Sequence, residues 1–261
     1  QSISTVGTSV TILDENFFKN SSELFLGDIL SNNSTSTNFF QSGGHGTSSA
    51  IQLRGLPKRY STVYIDGVKM SDPSSVSNDY DFNHILTSQI SRVEILKGNQ
   101  SSIYGSGAIG GTINIFTKNP KEGFHKNFQY NTGSNGLQNF GGSVSGANKK
   151  SNYYMGLERF HTDGISAMMH NEEKDRYRNN SLIAKYGYKF TDKLELKSNF
   201  RFADTYLQYD KELDTSTATH DEEVDGTEAS YNISMIYKLN EMFSNKFTLA
   251  NTYIKRIYAA T

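Results

Sequence analysis

The sequence predicts an α+β unit over residues 1–123, followed by long antiparallel β-strands from Phe124 onward. Three observations point there. Short apolar runs separated by Gly-rich loops fill the first part. Two-residue alternation of apolar and polar side chains fills the second. The connections between the later strands are short and long by turns.

In the first part, Val10–Leu13 reads as a strand, and Asn20-Ser21-Ser22-Glu23 resembles a capping box ahead of a helix carrying Leu24, Phe25, Leu26, Ile29 and Leu30. Ala50–Gly55 and Thr62–Val68 read as strands that end in turns. Asp81 is placed to cap a short helix through Ser88, and Ile90–Leu96 and Thr112–Thr117 are two more strands. In the second part, Leu194, Leu196, Ser198, Phe200 and Phe202 alternate with Glu195, Lys197, Asn199 and Arg201. Leu182, Ala184, Tyr186, Tyr188 and Phe190 form another one-sided set, and Tyr231, Ile233, Met235, Tyr237 and Leu239 a third. Seven strands are expected, near 124–132, 138–148, 151–161, 181–190, 194–204, 229–239 and 247–258. Turns near Lys149, Asp192 and Asn240–Asn245 are short, whereas 162–180 and 205–228 are long and polar. Short connections on one side and long on the other suit an outer-membrane barrel. A water-soluble β-domain also alternates, so pattern alone leaves both open.

Composition narrows the classes. The chain has 261 residues and a formal net charge of -1, which suits one or two domains and argues against a nucleic-acid partner. There is no cysteine, so disulfides, thiolate metal sites and cysteine nucleophiles are excluded. The mean hydropathy of -0.58 is that of a soluble protein. No apolar run reaches the length of a transmembrane helix, but a membrane β-barrel would show none. Sixteen Tyr and sixteen Phe without Trp are strand-forming aromatics, and 22 glycines against three prolines leave the turns to Gly, Asn, Asp and Ser. Gln1 opens without a basic or apolar leader, and Ile257–Thr261 stops inside strand-like sequence, so the chain is expected to be truncated.

Four blocks stand in order: Ile51–Gly55, Val63–Val68, Ile90–Gly98 and Ser102–Ile115. Together they resemble the plug of TonB-dependent outer-membrane receptors. The resemblance implies an α+β plug domain at 1–123 and antiparallel transmembrane β-barrel strands at 124–261, an incomplete part of a barrel of about 22 strands. Seven strands cannot enclose a plug, and the missing wall would leave an exposed sheet edge. The motif positions are Arg54, Gly55, Asp66, Gly67, Arg92, Glu94, Gly98, Tyr104, Gly105, Gly110 and Gly111. Glycines 105, 107, 110 and 111 allow a segment to leave the plug core and enter the wall. Arg54, Arg92 and Glu94 serve either as a charge latch between plug and wall or as ordinary paired charge, the simpler expectation.

Within the family the chain is most similar to cobalamin (vitamin B12) receptors. Gly43–Ala50 stands where that subfamily has a substrate-contacting apical loop, and Ser71–Tyr80 would be a second. The expected ligand contacts are Gly44, His45, Thr47, Ser48, Ser49, Ser71, Asp72 and Ser74. Their amides and hydroxyls suit the neutral, polar rim of a corrinoid; a mobile Gly/Ser surface loop is the plain alternative. His45 is expected to be exposed rather than a cobalt ligand. His161–Gly164 and Phe190–Asp192 match the subfamily more weakly. Cobalamin receptors order their outer loops with calcium, which implies Glu173, Asp175 and Asp210 as ligands beside Tyr209. Glu173 and Arg176 depart from that pattern, and a solvated acidic loop is the competing expectation.

No nucleophile–base pair, zinc spacing or phosphate loop is visible, so no enzyme is expected. The rivals are a siderophore or haem receptor of the same family, or a non-transporting adhesion surface. The resemblance implies gated import, with the plug pulled from the periplasm by TonB of the TonB–ExbB–ExbD complex. Its contact segment should precede Thr8, and Gln1–Gly7 does not resemble it. The remaining partners implied are outer-membrane lipid and a small ligand, corrinoid or iron chelate.

Overall fold

Strands dominate residues 9–33, 37–75, 77, 80–166, 174–210 and 221–260, which a computed structural model describes. The chain divides into two units, 1–43 with 47–118, and 44–46 with 119–261.

The first unit holds β1 (Ser9–Leu13), α1 (Glu15–Asn20), α2 (Leu26–Asn33), β2 (Thr37–Gln41), β3 (Ser49–Leu53), β4 (Ser61–Ile65), β5 (Val68–Met70), β6 (Ile90–Lys97), α3 (Ser101–Tyr104) and β7 (Gly111–Thr117). Its main sheet runs β1-β6-β7-β4-β5, and β2 pairs with β3 apart from it. Only β4 and β7 are parallel in that sheet. The register explains the core. Val93 and Ile65 flank Ile115, and Ile95 and Val63 flank Ile113, so β-branched side chains form two rows across three strands. All six are nearly inaccessible. On α2, Leu26, Ile29 and Leu30 occupy one helical face and are fully buried.

Local chemistry sets the element ends. Asp66 (φ 48°) and Gly67 (φ 82°) form the β4–β5 turn, whose two left-handed residues match the twist of a tight hairpin. The Asp66 amide donates to the Ile115 carbonyl at 2.9 Å, and its carboxylate accepts from the Thr117 amide at 3.1 Å. Arg54 (φ 55°) and Gly55 (φ 75°) make a second such turn, so β3 stops at Leu53. A bulge at Ser91 shifts the β6–β7 register, and the Ser91 hydroxyl is within 3.0 Å of the Phe116 and Thr117 carbonyls.

Three expectations are corrected here. The Asn20–Glu23 capping box is not one: α1 ends at Asn20, and Ser21 accepts from the Glu23 amide at 3.2 Å in the link before α2. The true cap is Asp14, whose carboxylate accepts from the Phe17 amide at 2.9 Å. Asp81 starts no helix through Ser88; a 3₁₀ turn at Thr87–Gln89 is all that forms. The glycine run does not depart from the plug core. Gly110 donates to the Tyr60 carbonyl at 2.8 Å, and Gly111 begins β7 in the middle of the sheet.

The second unit is a meander of β8 (Gly123–Thr132), β9 (Gln138–Ala147), β10 (Ser151–Thr162), β11 (Tyr177–Lys189), β12 (Leu194–Asp210), β13 (Asp221–Lys238) and β14 (Ser244–Ala260). Every pairing is antiparallel, and the sheet is open, with β8 and β14 at its edges. All seven expected strands are present. Residues 177–180, 205–210 and 221–228, expected in loops, are strand. Polar residues predominate there, with Tyr177, Leu207 and Val224 too sparse to alternate, yet the backbone ladder continues. The short turns close through one side chain each. Asn148 accepts from the Lys150 and Ser151 amides, Thr191 from Lys193 and Leu194, and Asn240 from Met242 and Phe243.

Candidate functional site

The β2–β3 connection is the first expected ligand loop. Its base is closed by the Ser42 amide donating to the Ser48 carbonyl at 3.0 Å. Ser49 is buried, its amide donates to the Asp81 carboxylate at 3.1 Å, and its hydroxyl donates to the same oxygen. That hydroxyl also accepts from the Phe82 amide at 3.1 Å, while Asn83 Nδ2 donates to the Thr47 carbonyl at 3.1 Å. Ser49 therefore braces the loop against 81–83. Sequence reading missed Asp81 as the partner, because nothing local links positions 32 apart. Gly44 and Ser48 are exposed, and Thr47 is half-buried.

Residues 44–46 group with the second unit. The half-buried His45 ring stands edge-on to Phe160 at 5.4 Å, and Phe160 lies 5.9 Å from Tyr177. A Cβ on Gly46 would fall 2.2 Å from the Tyr177 ring, and φ there is 87°. His45 is thus not the freely exposed side chain expected. Glycine at 46 is what lets the backbone approach the aromatic ring.

In the second expected loop, Asp72 is buried and accepts from the Ser74 amide at 2.9 Å and hydroxyl at 2.6 Å. It shapes the turn, leaving Ser74 exposed and Ser71 half-buried.

Of the motif charges, Arg92 and Glu94 pair with each other at 3.1 Å on one face of β6, and the Arg92 guanidinium sits 4.3 Å from the Phe116 ring centroid. Arg54 is exposed and lies over Gly98, where a Cβ would approach its Nη1 to 3.3 Å. The Tyr64 hydroxyl donates to the Tyr104 carbonyl at 3.2 Å, and Tyr104 Oη accepts from Asn114 Nδ2 at 3.3 Å. Burial, then the neighbouring Tyr104 phenol, push Tyr64 above the ordinary tyrosine range, so it remains a donor. Gly105 (φ 88°) ends α3.

Of the expected calcium ligands, Asp175 and Asp210 fall among the described residues. Among the described residues, no group of three or more His, Asp or Glu side chains is placed to hold a metal. Glu173 lies outside the described residues, and Asp210 accepts from the Ser166 hydroxyl at 3.0 Å. The neighbouring acids serve as cross-strand acceptors: Tyr209 donates to Glu222 at 2.8 Å and Gln208 to Glu223 at 3.2 Å. In the 163–176 connection, hydrogen bonding from Lys174 holds the Asp163 carboxyl below its ordinary range, helped by His161.

The second unit's side chains are inside out. On β13, Tyr231, Ile233, Met235 and Tyr237 are 39–50% exposed, whereas Ser230, Asn232 and Ser234 are 3–4% exposed. On β10, Tyr153, Met155 and Leu157 are exposed while Glu158 is buried. The buried polar face is a bonded network. Glu158 accepts from Gln129 at 3.2 Å and Asn139 at 2.9 Å. Gly141 stands between Gln129 and Glu158 in register, and its missing side chain lets Gln129 reach across. Lys185 donates to Asn119 at 3.1 Å, and Arg201 pairs with Glu228. Asn199 donates to Asn232 at 2.9 Å. A soluble sheet would bury the apolar face; exposing it fits hydrocarbon outside and a polar lumen within. On β12 the apolar outward positions run from Leu194 to Phe202, then give way to Asp204. The nine-residue segment from Leu194 to Phe202 covers about 30 Å along a strand, or about 21 Å of height at the tilt of a membrane barrel.

Residues 2–112 match the family model of the TonB-dependent Receptor Plug Domain. The first unit thus carries the plug domain of TonB-dependent receptors. The chain is 28% identical over 212 residues to the vitamin B12 transporter BtuB of Photobacterium profundum, covering 80% of the chain and 34% of that relative. It is 28% identical over 184 residues to BtuB of Vibrio vulnificus, covering 65% and 28%. The chain thus spans about a third of the length of these relatives. Among solved structures, the ferric-catecholate import receptor Fiu of E. coli K12 superposes with a TM-score of 0.78 at 17% identity, over 99% of this chain and 40% of that one. The ferric yersiniabactin uptake receptor FyuA of Yersinia pestis gives 0.74 at 20%, over 97% and 41%. At those identities the likeness carries the fold of the TonB-dependent receptor alone.

Proposed function

We propose that this receptor imports a scarce nutrient across the outer membrane of a Gram-negative cell, with residues 1–123 as plug and 124–261 as the first strands of the barrel wall. The observation that carries this reading is the inverted alternation of the second unit, joined in one chain to a plug. Ligand binds the plug's apical loops, through exposed or half-buried Gly44, His45, Thr47, Ser48, Ser71 and Ser74. Ser49 and Asp72 keep those loops in shape. TonB supplies the pull from the periplasm, since the outer membrane holds no nucleotide energy source.

Cobalamin is the proposed cargo. The BtuB relatives favour it, and loops rich in glycine amides and hydroxyls suit a neutral, polar ligand. A siderophore, the cargo class in the names of the fold relatives Fiu and FyuA, is the second reading. Calcium ordering of the outer connections through Asp175, Asp210 and Glu173 belongs to the cobalamin reading. The test is a binding panel on the full-length, detergent-purified receptor, titrating cobalamin, ferric siderophores and haem with and without calcium. The expected result is cobalamin binding at least about 100-fold tighter than the others, a difference of about 2.7 kcal/mol. Tight binding of a siderophore with none of cobalamin would refute the cargo. Cobalamin affinity unchanged by calcium removal would refute the metal role.

A further inference from the structure

The outward face of β8–β10 is not smooth. A groove of about 650 Å³ runs across it, lined by Phe128, Phe140, Val144, Met155 and Leu157, with Gly142 on its floor and Lys126 on its rim. Gly142 pairs with Phe128 on one side and Leu157 on the other, so a single absent side chain opens the dent between two large ones. A Cβ there would meet only the Asn127 carbonyl, at 3.8 Å.

Lysines gather toward the short-turn end of the groove. Lys126 faces outward in register with Val144, and Lys149 and Lys150 occupy the exposed β9–β10 turn. Counted along β9, that turn begins four positions from Val144, about 13 Å away. Lys193 and Lys246 lie in or beside the other short turns, against Asp192 and Glu241. Farther along the sheet, residues 204–210 and 221–228 on β12 and β13 carry seven Asp or Glu, across from Arg178, Lys255 and Arg256.

We propose that this groove holds one acyl chain of an anionic glycerophospholipid, with the phosphate held by Lys126, Lys149 and Lys150. The site rests on the reading of the outward face as lipid-facing. Its apolar lining is continuous with that face, and three lysines stand toward its short-turn end, with Arg159 beside Phe140 at the other. A zwitterionic lipid would fill the groove but gain little from the lysines, so headgroup charge decides occupancy.

The test is native mass spectrometry of the full-length receptor in detergent, titrated with dioleoyl phosphatidylglycerol or dioleoyl phosphatidylcholine. The expected result is retention of one phosphatidylglycerol in preference to phosphatidylcholine. The preference falls by about five-fold for each of Lys126→Gln, Lys149→Gln and Lys150→Gln, all exposed positions. Gly142→Leu, which fills the groove, lowers retention of both lipids. Equal retention of the two lipids by the unaltered receptor, or a triple lysine variant with undiminished preference, would overturn the site. A receptor that stays in solution without detergent would instead overturn the membrane reading beneath it.

Discussion

Replacing Gly111 with valine is expected to unfold the first unit's main sheet. Gly111 has φ of 150°, and a Cβ there would stand 2.3 Å from the Leu96 carbonyl oxygen and 2.8 Å from a Leu53 methyl. The residue pairs with Ser61 on one side and Lys97 on the other, so neither neighbouring strand can yield without losing its ladder. Backbone strain and overpacking each cost about 1–3 kcal/mol, and together they remove about 3–5 kcal/mol. Gly55→Ala is the control. Its φ of 75° is also left-handed, but a Cβ there meets nothing within 4 Å, so only the conformational cost of about 1–2 kcal/mol applies. Urea titration with limited proteolysis of the region 9–117 as readout separates them. The valine variant should be cleaved without denaturant, and the alanine variant should shift modestly. Equal midpoints would contradict the close approach.

The second large effect lies on the buried face of the second unit. Arg201 and Glu228 are 7% and 6% exposed and pair with each other across β12 and β13. Removing one partner leaves a buried charge, so Arg201→Met or Glu228→Gln should each cost about 3–5 kcal/mol. Replacing both by Arg201→Met with Glu228→Leu removes both desolvation penalties and should recover most of that loss. Thermal unfolding in detergent, followed by gel mobility with and without heating, gives the comparison. Losses in the double variant that simply add would contradict a coupled pair.

The Arg201–Glu228 pair also shows where the sequence stops being informative. Alternation placed Arg201 on the polar face of its strand, and the structure agrees. It could not supply the partner, because that depends on the β12–β13 register across a connection whose length polar residues conceal. The same blindness hid residues 205–210 and 221–228, where the ladder continues beyond the apolar band. Within the plug, β6, β7 and the Asp66–Gly67 turn were legible because each follows from local rules of burial or backbone sign. The helix before Asn20 was missed although Asp14 stands at its start. Asp81 was misassigned as a cap because its true partner is Ser49, distant in sequence. The loop itself was legible from its glycines, but which hydroxyls face outward was not. Ser48 and Ser49 are neighbours, and only the second is bonded inward.

The inverted face of the second unit is the claim on which import, cargo loops and the lipid groove all depend. These 261 residues hold no cysteine, so one can be introduced here in a receptor cleared of any other. The decisive measurement is spin labelling at 230 through 235 in the full-length receptor reconstituted in bilayers, with collision rates for oxygen and for a water-soluble nickel chelate. Labels at Tyr231, Ile233 and Met235 should collide with oxygen and be shielded from nickel, while those at Ser230, Asn232 and Ser234 show little oxygen contact. A uniform profile, or the opposite phase with nickel reaching 231, 233 and 235, would contradict a lipid-facing apolar side.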